Sequence, residues 1–287
     1  MTQEKITLYK MRDFSAKVNI TIEYIRHNFL PLVKVVLLVV APIALILTLL
    51  MKYWMGDLAE LQNNPGADPF GTLSRLGPTY LLSTFISITS YTFLFTAVYG
   101  YMKMNQDQEE APSPVEVYKL ILPKLPMVFI LMILISVVSL IGLVFFIIPG
   151  LYLMITTSLA VPIYLFENKN IGDAFGKSFT LIKGKWWSTF GLLIITGIIS
   201  ALISYLFAVP LYGKMIIDLF SKGADQVQPD LLFTSWYSTF ALAFMLIGSY
   251  IAYLIPVIAL SFQYFNLSER VEARGLRNQI KGFETLA

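Results

Sequence analysis

Spanning a bilayer takes about 20 consecutive apolar residues in a helix. Six runs in this chain meet or approach that length, near 29–51, 79–102, 126–148, 151–166, 187–211 and 236–264. No other feature limits the fold so severely, because a segment in hydrocarbon must satisfy its own backbone, and helices do so. The fourth run is short and follows Ile147-Ile148-Pro149-Gly150, where Pro149 and Gly150 are expected to make a tight reversal. Such a turn belongs at the far interface or beneath other helices. The rival reading is one long kinked helix and five spans.

The chain is 56% hydrophobic and only 14% charged, against about 25% charged in a soluble domain. It cannot cover itself with polar surface. What charge it has is segregated. Lys5, Lys10, Arg12, Lys17, Arg26, Lys103, Lys119, Lys124, Lys169, Lys177, Lys183, Lys185, Arg270, Arg274, Arg277 and Lys281 lie on one side of the six runs, and Lys52, Arg75, Lys214 and Lys222 on the other. Cytoplasmic segments collect Lys and Arg, so both termini are expected in the cytoplasm and the number of spans is expected to be even. Residues 1–28 are polar and mixed in charge, not a short apolar core ahead of a cleavage site, so the run from Phe29 is expected to stay as an anchor.

A surface helix is expected before each odd-numbered span. Phe14, Val18, Ile22 and Ile25 form one apolar stripe, and Ile171, Ala174, Phe175, Phe179 and Ile182 another. The middle helix opens Ser113-Pro114-Val115-Glu116, a capping box with proline at its first position. The unit therefore recurs three times: interfacial helix, joint, membrane hairpin. The joints are 25–29, 121–125 and 182–186. At an offset of 157, Ala44-Leu45-Ile46 meets Ala201-Leu202-Ile203, Gly56 meets Gly213, and Gly66-Ala67-Asp68 meets Gly223-Ala224-Asp225. We read an internal duplication. The fold expected is all-α: six transmembrane helices as three hairpins, each preceded by a cytoplasmic amphipathic helix. The divisions are a surface segment at 1–28, hairpins within 29–102, 113–166 and 170–264, and a cytoplasmic tail at 265–287.

The absence of cysteine excludes disulfides, iron–sulfur clusters and thiolate zinc sites, and the single histidine, His27, cannot build a multi-histidine site. The external loops hold Asp57, Glu60, Asp68, Asp218, Asp225 and Asp230 without metal-ligand spacing. Neither metal nor cofactor is expected, and neither is catalysis. The stretch Lys183-Gly184-Lys185-Trp186-Trp187 either holds lipid phosphates or is only the aromatic and basic border of a span. Gly184 is expected to end the surface helix and permit the change of direction. Arg26 and Lys124 stand at or near the matching joints. Lys34 lies about one turn inside the first span, to serve a function there or to snorkel back to the headgroups. Ser83, Ser87 and Ser90 at helical spacing, with Tyr91 beside them, are either a polar path or a packing face. Pro42, Pro162 and Pro256 should kink their helices.

Residues 143–191 carry an ordered pattern: Pro149, Gly150, Tyr152, Pro162, Glu167, Ala174, Ser178, Lys183, Gly184 and Trp187. It resembles bacterial six-span proteins related to the membrane domain of glycerophosphoryl diester phosphodiesterase, and the YciC-like membrane proteins. The resemblance implies a multi-pass bacterial inner-membrane protein. It does not bring phosphodiesterase activity, because where that activity occurs a separate soluble barrel carries it. The function expected is a non-enzymatic scaffold or accessory protein for lipid organisation or an envelope complex. The alternative is a permease or lipid-transport component. Partners would be membrane lipids, anionic ones included, and other membrane proteins, not nucleic acid.

Overall fold

Proline sets where the helices of this chain break. A proline cannot donate to the carbonyl four residues before it, and in four places the helix opens two to four residues ahead of one. The computed structural model describes residues 6–63, 68–108, 110–222 and 235–273. In order these hold α1 (Phe14–Val39), α2 (Ala41–Asn63), α3 (Pro69–Asp107), α4 (Pro114–Ile121), α5 (Leu125–Phe145), α6 (Ile147–Thr157), α7 (Ala160–Glu167), α8 (Ile171–Ile182), α9 (Trp186–Lys222), α10 (Trp236–Ala252) and α11 (Leu254–Glu272). Asn28, ahead of Pro31, leaves helical geometry at φ −112°, ψ 16°. Val40, ahead of Pro42, separates α1 from α2 with a 54° bend. Ser158 and Leu159, ahead of Pro162, separate α6 from α7, and Tyr253, ahead of Pro256, separates α10 from α11.

No strand occurs among the described residues. Five helical stretches are long and apolar enough to cross a membrane, or six if the bent α1–α2 pair counts as one span. Large apolar side chains lie on the outside of nearly every helix; Val144 to Ile148 are each more than 70% exposed. An apolar surface of this extent is incompatible with a water-soluble monomer. The chain is a membrane protein.

The reversal expected at Pro149 and Gly150 lies earlier, at Phe146. That residue is extended (φ −158°, ψ 132°) between α5 and α6. Pro149 falls in the first turn of α6, where a missing N–H costs nothing. Gly150 contributes by its small size instead. A Cβ on Gly142 would stand 2.7 Å from the Gly150 Cα, and a Cβ on Gly150 would overlap the Leu143 backbone. Residues eight apart touch only if the chain has fully doubled back, so α5 and α6 are separate helices packed on each other.

In α1 and α8 the buried residues include polar ones beside part of the expected apolar stripe. In the first half of α1, Lys17, Thr21 and Tyr24 are buried, Val18 and Ile25 half-buried, and Phe14 and Ile22 exposed. In α8 the buried residues are Ala174, Lys177, Ser178, Leu181 and Ile182, while Phe179 is exposed and Ile171 and Phe175 half-buried. The exposed positions are mixed: Asp13, Asn19, Glu23, Arg26 and His27 stand outside beside Phe14 and Ile22. In α4, Val117 and Ile121 are buried, and the expected capping box is formed by Ser113 and Glu116.

The described chain divides into two compact units. The first comprises 1–35, 95–199 and 253–287; the second comprises 36–94 and 200–252. In the second, α2 packs on α10. Gly248 accommodates the Phe207 ring, which any Cβ would strike, and Tyr91 meets Tyr250 edge-on at 5.4 Å.

Candidate functional site

The first unit gathers buried charge, and α11 organises it. Gln263, Asn266 and Arg270 recur at intervals of three and four, so they line one face. The Lys17 ammonium, 2% exposed, donates to Gln263 Oε1 at 2.6 Å and Ser188 Oγ at 2.9 Å. Gln263 passes the chain on, its Nε2 donating to Thr189 Oγ1 at 2.8 Å. The Phe14 ring covers Lys17 at 5.6 Å and packs in turn on Gly191. One turn along α11, Asn266 Oδ1 accepts from the Arg12 backbone N–H at 2.8 Å and from Arg270 Nε at 3.4 Å.

The Arg12 guanidinium lies 5.3 Å over the Phe262 ring and donates to the carbonyls of Leu8 (3.0 Å), Lys10 (3.4 Å) and Thr7. Burial pushes its pKa down, and the Glu23 carboxylate acts in the opposite sense. Arg270 and Lys185 stand close enough to act electrostatically on Lys17, and Asp13 acts on it in the opposite sense. Four cations from the N-terminal segment, the α8–α9 joint and α11 thus converge. The ion pairs Lys169–Glu167, Lys177–Glu167, Lys177–Glu272 and Lys214–Asp218 involve none of these four cations.

A second cluster in the same unit is balanced. Lys177, buried on α8, meets Glu167 Oε1 at 2.7 Å and Oε2 at 2.9 Å, and also contacts Glu272 at the end of α11. Tyr264 Oη donates to Glu167 Oε1 at 2.8 Å, and exposed Lys169 lies 3.8 Å away. One residue on, Asn168 adopts the left-handed conformation (φ 51°) that ends α7. Its Oδ1 accepts from Lys124 Nζ at 3.1 Å and Lys103 Nζ at 3.4 Å, and Lys103 also caps the Leu165 carbonyl at 3.0 Å. Backbone carbonyls at a helix end attract cations in this way.

The Lys183–Trp187 stretch folds as a sharp joint. Gly184 has φ +73°, so the turn requires glycine or strain. Lys183 and Lys185 are exposed on either side of it. Trp186 stacks between Tyr152 at 6.1 Å and Phe190 at 5.0 Å, and its indole N–H donates to the Tyr152 carbonyl at 3.3 Å. Trp187 points outward, 77% exposed. Arg26 and Lys34 are exposed on α1 and join neither cluster. In the second unit Ser83, Ser87 and Ser90 each donate to a carbonyl four residues back (Thr79, Ser83 and Ile86). Asp225, Asp230 and Arg274 onward lie outside the described residues.

The buried charges of Arg12, Lys17, Glu167 and Lys177, and the half-buried Lys103 and Glu272, do not stand out in the sequence. They flank the apolar runs, where charge is expected to be solvated. Glu167 and Ser178 did carry a signal, as positions in the ordered pattern of 143–191. Ser178 donates to the Thr156 carbonyl at 2.6 Å, across the break before Pro162. Among the described residues no group of three His, Asp or Glu is placed to hold a metal ion.

A family model described as an uncharacterised protein family (UPF0259) matches residues 73–228, just over half of the chain. No curated protein and no solved structure matches it.

Proposed function

This chain belongs to the uncharacterised family UPF0259, and on that premise we propose a non-enzymatic scaffold or accessory protein of a bacterial inner membrane that organises anionic lipid. The observation that carries the proposal is the gathering of Arg12, Lys17, Lys185 and Arg270, against which Glu23 acts on Arg12 and Asp13 on Lys17. Four cations against these two carboxylates leave an excess of positive charge that attracts phosphate, and each Lys or Arg near an anionic surface contributes about 1 kcal/mol. Trp186 and Trp187 beside it have the character of headgroup-depth anchors. The pairs of Lys177 with Glu167 and Glu272 join α7, α8 and α11.

The same reading includes both termini in the cytoplasm and three hairpins, each fed by a surface helix. The relation to the phosphodiesterase membrane domain and the YciC-like proteins is part of it, resting on the pattern of 143–191. So is the duplication. The second unit joins 36–94 to 200–252; shifted back by 157, the latter becomes 43–95 and falls almost wholly on the former. That correspondence supports two copies of one hairpin.

The test compares wild type with Lys183→Gln/Lys185→Gln and with Arg270→Gln by native mass spectrometry, after exchange into mixed anionic and zwitterionic lipid. Bound anionic lipid should fall by at least half in each variant, with unchanged elution volume. Unaltered lipid counts in both would refute the headgroup reading. Solute or lipid movement across liposomes by the purified protein would refute the scaffold reading.

A further inference from the structure

The second unit contains a cavity of about 180 Å³ between α2, α9 and α10. Four of the chain's 11 methionines face it: Met51, Met55, Met215 and Met245. Methionine is flexible and polarizable, and it lines surfaces that adapt to varied apolar ligands. The cavity exceeds the roughly 150 Å³ of an apolar void that stays dry and takes up benzene. It is too small for a whole lipid but large enough for a segment of one hydrocarbon chain.

Two features give it a polar end. Lys214 lines it, half exposed, with its ammonium 2.7 Å from Asp218 Oδ2. Tyr237 also lines it, and its hydroxyl donates to the Pro210 carbonyl at 2.9 Å, fixing the start of α10 to α9. An apolar slot with a cation at its edge matches an amphiphile whose anionic group adjoins hydrocarbon. The neutral Lys214–Asp218 pair further complements a headgroup bearing both phosphate and ammonium. In a chain with membrane-crossing helices, phospholipid is the surrounding molecule with that chemistry.

We propose that this cavity binds one acyl chain of a phospholipid, with the lipid phosphate on Lys214 and its ammonium toward Asp218. The site is distinct from the cation cluster of the first unit, so either can fail alone. The test incorporates full-length protein into vesicles of phosphatidylethanolamine carrying a diazirine on one acyl chain. Irradiation and peptide mapping should place adducts on Met51, Met215 or Met245. A parallel sample receives a diazirine fatty acid instead. Lys214→Gln should reduce phospholipid adducts at these residues at least threefold, and Met245→Trp, which fills the slot, should abolish them. Adducts confined to other lipid-facing residues would overturn the proposal, as would labelling by the fatty acid but not the phospholipid. The wild-type map decides even if the tryptophan variant does not fold.

Discussion

Replacing Glu167 with Gln tests whether the balanced cluster holds the first unit together. The carboxylate is nearly buried, with 3% of its side chain exposed, and both oxygens contact Lys177. Gln keeps the shape and leaves an acceptor for the Tyr264 hydroxyl. It removes the charge and directs an amide N–H₂ at an ammonium. Removing one partner of a buried pair costs about 3–5 kcal/mol. Here Glu272 still contacts Lys177, from a position 28% exposed where solvent weakens it, so the loss should be about 2–3 kcal/mol. The assay is denaturant-induced unfolding in mild detergent, followed by tryptophan fluorescence. Lys177→Met supplies the other edge of the cycle. The double variant should be more stable than the sum of the singles implies, by at least about 1 kcal/mol. Lys169→Gln, at 3.8 Å and 38% exposed, should cost less than about 1 kcal/mol. Additive singles, or a Glu167→Gln cost below about 0.5 kcal/mol, would refute a structural role for the cluster.

Two further outcomes follow from backbone geometry. Gly184→Ala places a Cβ in open space but at φ +73°, so about 1–2 kcal/mol should be lost to the backbone alone, read from the same unfolding curve; an unchanged midpoint would mean the joint is not held in that conformation. Ser113→Ala removes the capping box of α4 and should cost about 1 kcal/mol, with faster amide hydrogen exchange confined to the first turn of that helix; exchange unchanged at Glu116 would show that the cap does not form.

The helices were legible because their causes are local. Apolar length set the spans, and Ser113 with Glu116 set the start of α4. Pro42, Pro162 and Pro256 each marked a helix break. The reversal was misplaced by a few residues because Pro149 has two roles with one sequence appearance: it ends a turn or begins a helix, and the packing of Gly142 on Gly150 selected the second. The buried charges were illegible for a different reason. Lys17 is separated from Gln263 by 246 positions, and Lys177 from Glu272 by 95. No periodicity encodes such pairs. The apolar stripe of α1 did not show which residues are buried: Phe14 and Ile22 are exposed, and Lys17, Thr21 and Tyr24 are buried by residues distant in sequence.

The buried cations of this chain are held in two different ways. Lys17 has one ring and two neutral oxygens in direct contact, with Asp13 acting on it only electrostatically, whereas Lys177 has two carboxylates. A buried ammonium without a counter-ion is costly unless hydrogen-bonded, and its charge is still felt outside. Pairing Lys17 internally would silence it, as Glu167 and Glu272 silence Lys177. Leaving it on Gln263 and Ser188 keeps a positive field beside Lys185, at the joint that carries the two tryptophans. The prediction is specific: Gln263→Glu should stabilise the fold, by supplying a carboxylate to Lys17, and should lower anionic-lipid binding together. A variant that gains stability and keeps its lipid would separate the two effects and remove the reason for an unpaired Lys17.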